Sequence, residues 1–110
     1  MSHEEDAMNK GEFIDRLADT TELTKKESRT LLDSVLNLIQ DTLLRGEAVK
    51  FVGFGKFAVR ARKASSRINP QTKKPIQVEA KVVPLFKPGR ELKQQIAKSL
   101  KTTPQGVARK

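Results

Sequence analysis

The chain has 110 residues, with 22 Lys/Arg against 13 Asp/Glu, no cysteine, no tryptophan or tyrosine, and a single histidine, His3. That composition excludes disulfides and thiolate metal sites, and no apolar run nears the length of a membrane span. A chain of this size suits one small domain whose modest core would gain from dimerisation.

No basic-then-apolar leader resembles a secretory signal, so a soluble protein that stays inside the cell is expected. The charge is unevenly placed. Residues 1–45 carry six Lys/Arg against ten Asp/Glu, whereas residues 46–110 carry sixteen against three. A surface for a polyanion therefore belongs to the second half, and nucleic acid is the obvious polyanion inside a cell.

Met1–Ala7 is acidic, lacks an apolar period and is expected to be disordered. Asn9 is placed as an N-cap with Glu12 three residues on, and Phe13, Ile14, Leu17 and Ala18 share one face of a helix ending near Thr20. Thr24 and Glu27 repeat the capping signature for a longer helix, which Gly46 ends. Its apolar residues, among them Leu32, Val35, Leu36, Ile39 and Leu43, cover an arc of roughly 160°, wider than an ordinary surface helix needs. One flank is expected to meet a second copy of the chain.

From Glu47 the period changes to two. Val49, Phe51, Phe57 and Val59 fall on one face of a sheet, and Lys50, Lys56, Ala58, Arg60 and Arg62 on the other, with Gly53-Phe54-Gly55 turning the chain. Beyond Arg62 the apolar alternation fails, and Asn69-Pro70-Gln71-Thr72 is turn chemistry in which Asn69 caps the turn. Ile76, Val78, Ala80 and Val82 then return toward the body, so the whole reads as a ribbon with Pro70 near its tip. Pro88 suits the first turn of a third helix, with Leu92, Ile96 and Leu100 as its stripe and Lys98 and Lys101 in its last turn. Thr102-Thr103-Pro104 is expected to stop it, leaving a frayed basic tail.

With these residues in view, the chain resembles the HU/integration host factor family of bacterial DNA-bending proteins over about Met8–Lys98. The similarity rests on MNKGEF at Met8–Phe13, GFGKF at Gly53–Phe57, VRARK at Val59–Lys63, NPQT at Asn69–Thr72 and PLFKPGRELK at Pro84–Lys93, in family order and spacing. The resemblance implies an α+β fold with a two-helix N-terminal dimerisation unit, a three-stranded antiparallel sheet, an extended β-ribbon arm at about residues 62–76 and a short C-terminal helix, in an intertwined dimer. Residues 1–8 become a disordered extension, 9–101 the DNA-binding domain and 102–110 a disordered basic tail. The implied dimer interface is Leu32, Val35, Leu36, Ile39, Leu43, Phe51, Phe54 and Phe57.

The implied partner is double-stranded DNA, bent or distorted duplex in preference, gripped in the minor groove with little sequence specificity. Lys10, Lys56, Arg60, Arg62, Lys63, Arg67, Ile68, Asn69, Pro70, Gln71, Thr72, Lys73, Lys74, Lys81, Lys87 and Arg90 form the expected DNA-binding set, with Pro70 the intercalating wedge. The second protomer is expected to be an identical chain, with a paralogue as the alternative, and the location cytoplasmic and nucleoid-associated. No cofactor, metal, membrane or small-molecule substrate is expected. Where the family arm commonly carries arginine this chain has Ser65 and Ile68, and where it has glycine this chain has Arg67 and Lys73.

Two other readings compete. A site-specific binder like integration host factor shares every feature above, and an RNA-binding protein shares the small basic α+β domain. The absence of stacking aromatics from the basic face weighs against RNA. An enzyme lacks candidate residues, with no cysteine, P-loop or paired acids in a site.

Overall fold

The computed structural model describes residues 7–110, which fall into two compact units divided after Gln40. The segment through residue 6, expected to be disordered, lies outside the described residues.

In the first unit, α1 (Lys10–Thr21) begins where Asn9 Oδ1 accepts the Glu12 amide at 2.8 Å. Helix α2 (Lys25–Leu44) begins with a reciprocal capping box. The Thr24 amide donates to Glu27 Oε1 at 3.1 Å, and the Glu27 amide donates to Thr24 Oγ1 at 3.0 Å. Each bond satisfies an amide that the helix itself cannot. Ion pairs Lys10–Asp33 (2.7 Å) and Lys25–Asp15 (3.4 Å) join the two helices. Ile14, Ala18 and Ser28 are buried, and the enclosed Ser28 hydroxyl has no hydrogen-bond partner.

The apolar arc of α2 is left open. Leu31, Val35 and Leu36 are 40–45% exposed and Leu38 is 67% exposed. Among the described residues only Ile14 and Ala18 are fully buried hydrophobics, so one copy of the chain does not close its own core.

The second unit holds a three-stranded antiparallel sheet in the order β1 (Val49–Phe51), β2 (Gly55–Arg62), β5 (Lys81–Pro88). Gly53, at φ +86°, occupies the third place of the Phe51–Phe54 turn, a backbone state that side chains rarely take. Gly55 has a different reason: a Cβ there would lie 2.7 Å from both the Lys87 carbonyl oxygen and the Phe86 ring. The register pairs Val49 with Phe57 and Phe57 with Phe86, so those residues share a face, as the alternation predicts. Phe57 and Phe86 rings lie 4.9 Å apart, Phe54 and Phe86 5.5 Å, and Phe51 and Phe57 6.3 Å in an edge contact. Yet Phe51, Phe54 and Phe86 each remain 41–47% exposed. Pro84 and Pro88 lie on the outer strand β5, where a missing amide does no harm to the ladder.

The arm consists of β3 (Ser65–Ile68) paired with β4 (Pro75–Val78). Arg62 faces Lys81 and Ser65 faces Val78, so the register of β2 and β5 carries into the arm without a slip.

The C-terminal segment differs from expectation. Helix α3 spans Arg90–Ser99 with Gly89 as its N-cap, and Pro88 ends β5 instead of opening the helix. Leu100 and Lys101 do not continue α3. Residues expected to fray form a hairpin of β6 (Leu100–Thr103) and β7 (Gly106–Arg109). The reason lies in local propensity: Thr102, Thr103 and Val107 favour strand, Pro104-Gln105 suits a two-residue turn, and Gly106 takes φ +123°.

Candidate nucleic-acid interface

The face of the sheet opposite the phenylalanines carries the cations. Lys50 pairs with Lys56 and Lys56 with Lys87, so three lysines form a row across all three strands. Strands in a ladder lie about 4.8 Å apart, and like charges directly opposite one another destabilise a sheet. None of the three has an ion-pair partner among the described residues. Such a row is favourable chiefly when an anion lies over it. Further along the same face come Ala58 opposite Leu85, Arg60 opposite Val83, and Arg62 opposite Lys81. Leu85 and Val83 make this face less purely basic than alternation along β2 alone suggests.

A depression of about 350 Å³ adjoins the lysine row, lined by Lys50, Lys56, Lys87 and Arg90 and by the Phe51–Gly53 turn. The Gly89 amide donates to the Phe54 carbonyl at 2.8 Å, which fixes the start of α3 beside that turn. The first-turn amides of α3 receive no side-chain cap from Gly89. Four cations and a helix N-terminus make this hollow favourable for a phosphate.

At the arm tip, the Asn69 amide donates to the Lys74 carbonyl at 2.9 Å and the Lys73 amide to the Asn69 carbonyl at 2.7 Å. Asn69 Oδ1 accepts the Gln71 amide at 2.8 Å and the Thr72 amide at 3.4 Å. The asparagine carbonyl therefore builds the turn, as the sequence suggests. Pro70 stands exposed on the loop it closes. Lys73 adopts φ +59°, a left-handed state usually given to glycine. Ile68, 72% exposed, lies directly across from Pro75. The two form an apolar pair just behind the tip.

The expected set is thus divided. Lys56, Arg60, Arg62, Lys81 and Lys87 share a sheet face, with Arg90 beside it, while Ile68, Asn69, Pro70, Gln71, Thr72, Lys73 and Lys74 gather at the tip. Alternation along the ribbon puts Lys63 and Arg67 on the opposite ribbon face, Arg67 across from Ile76. Lys10 belongs to the first unit and is engaged with Asp33 at 2.7 Å. Glu79 is the one acidic residue between Glu47 and Glu91, and it lies on the strand path between Val78 and Lys81. Lys50 and Pro75 were outside the expected set. Their signal is cross-strand: the turn at residues 52–54 forces Lys50 opposite Lys56, and the tip forces Pro75 opposite Ile68.

This fold and site belong to a known class. The profile of the family described as "Bacterial DNA-binding protein" matches residues 8–97, and the chain belongs to that family. It is 45% identical over 89 residues to DNA-binding protein HU of Thermotoga maritima, covering 81% of this chain and 99% of that one. It is 44% identical over 90 residues to DNA-binding protein HU 1 of Bacillus subtilis, covering 82% and 98%. Among solved structures, a cocrystal of Anabaena HU with DNA superimposes with a TM-score of 0.74 at 37% identity, covering 82% of this chain and 98% of that one.

Proposed function

We propose that this protein is an architectural DNA binder: as a dimer it lays its basic sheet face along the duplex backbone, grips the minor groove with its arms and kinks the helix with Pro70. The minor groove offers a degenerate hydrogen-bond pattern, so backbone charge and duplex deformability dominate over base sequence. That makes the protein a compactor of bacterial DNA, associated with the nucleoid.

The observation that carries this reading is the unbroken register from β2 and β5 into the arm. It links the cation-bearing sheet to an exposed proline by a single ribbon. Proline suits a wedge because it is rigid, apolar and lacks an amide donor. The dimer is supported by the open arc of α2 and the half-exposed phenylalanines, which include Val35, Leu36, Phe51 and Phe54 of the expected interface. The second protomer is taken to be an identical chain.

The test is Pro70→Ala, read by energy transfer between dyes at the two ends of a short duplex. Unstacking a base step costs a few kcal/mol, which a truncated side chain no longer drives. The expected outcome is a smaller bend with binding weakened by roughly tenfold, about 1.4 kcal/mol. An unchanged bend angle would remove the wedge.

A further inference from the structure

The family match ends at residue 97, and both HU relatives are covered almost completely by about 90 residues of this chain. The hairpin β6–β7 lies beyond that match. We infer that it is an additional DNA contact, one that engages backbone phosphates away from those met by the sheet and arm; this rests on the DNA-binding reading above.

Three observations carry it. First, after Glu91 the sequence contains Lys93, Lys98, Lys101, Arg109 and Lys110 and no acidic residue. Second, the segment is built into a defined element tied back to α3. The Lys110 amide donates to the Ser99 carbonyl at 2.9 Å and Lys110 Nζ to the Ala97 carbonyl at 2.7 Å, while the Leu100 amide donates to Ile96. The ammonium of Lys110 thus complements the negative end of α3, and the hairpin is held there. Third, Lys98, Lys101 and Arg109 are exposed and have no ion-pair partner among the described residues. An ordered element whose unpaired charges all have one sign is suited to a polyanion.

Position supports the same partner. Helix α3 starts at the lysine-lined hollow and runs ten residues, about 15 Å. Its far end therefore sets the hairpin up to about 15 Å from the hollow, a span of at most about four to five base pairs at 3.4 Å per pair along each strand. Lys101 is paired with Ala108 and Arg109 with Leu100, so the two cations lie on opposite hairpin faces. They contribute charge at two places along the backbone, not a readout of bases.

The experiment is a salt titration of duplex binding by the intact protein and by the variant Lys101→Gln/Arg109→Gln, which keeps both strands and the Lys110 anchor. Two lost phosphate contacts per protomer reduce the magnitude of the log K against log salt slope by about 1.8 per hairpin engaged. Bending by the arm stays as in the intact protein. A parallel Lys110→Met variant, which removes the Nζ bond to the Ala97 carbonyl but keeps the backbone bond to Ser99, is expected to lower affinity less than the double change. If the intact protein binds duplex DNA and the double variant binds with the same slope and affinity, the hairpin contact is overturned while the architectural function stands. If the intact protein does not bind duplex DNA, both fall.

Discussion

At Lys73 the chain accepts a backbone state that most side chains avoid. A non-glycine residue in the left-handed region costs about 1–2 kcal/mol, and here it is held by the Lys73 amide bond to Asn69 and the closing pair between Asn69 and Lys74. The cost leaves a cation at the arm tip where the family arm commonly has glycine. Lys73→Gly is expected to tighten the turn by about 1 kcal/mol, slowing hydrogen exchange of the Asn69 amide several-fold, while removing one cation from the arm tip. Faster exchange in the variant would contradict this account of the tip. Glu27 is the second informative residue. Hydrogen bonds from the Thr24 amide and then the Thr24 hydroxyl hold its carboxyl below the usual value of 4.5. A depressed folded value means that the capping box contributes stability above the unfolded value and loses it as pH falls through the folded one. The stability of the α2 start should therefore decline below about pH 4.5, and Glu27→Gln should flatten that limb of a pH series of thermal melts.

At the scale of elements, the helices and the central sheet were legible because their signals are local. Asn9 with Glu12 and Thr24 with Glu27 announce two helix starts, and both caps form. Alternation from Val49 to Val59 assigns a face correctly because one side must pack. The hairpin β6–β7 was hidden for the opposite reason. Leu92, Ile96 and Leu100 continue a helical period one residue too far, and the charged, polar residues after it read as solvent-exposed chain. The lysine row was only half legible: alternation puts Lys50 and Lys56 on one face, but Lys87, 31 residues further on, joins them through strand pairing alone. Ser28 was unmarked because a buried serine breaks the apolar pattern that locates a core. The arm has little to bury, with Ser65, Ser66 and Arg67 facing Val78, Gln77 and Ile76, so apolar packing adds little to its pairing.

For the molecule as a whole, the decisive physical fact is an unfinished core. In the first unit Leu31, Val35 and Leu36 stay 40–45% exposed, and in the second Phe51 and Phe54 stay 44–47% exposed, so neither unit covers its own apolar face. In the proposed dimer a second copy would remove such area from water, at about 25 cal/mol for each Å² of apolar area buried. Leu36→Glu is expected to convert the dimer to an unstable monomer, seen as a halved mass in sedimentation and a fall in melting temperature; a variant that stays dimeric at the same melting temperature would contradict the assigned interface. The proposed dimer would also double the basic sheet and the arm. The central claim is that charge and deformability, acting together, decide what this protein binds. Its most direct test is a salt titration of the intact protein on linear, nicked and four-way DNA. The account predicts a log K that falls steeply with log salt, with a slope of about −5 or steeper, and binding roughly tenfold or more tighter to the nicked and four-way forms. A shallow slope with equal affinity for all three would contradict it.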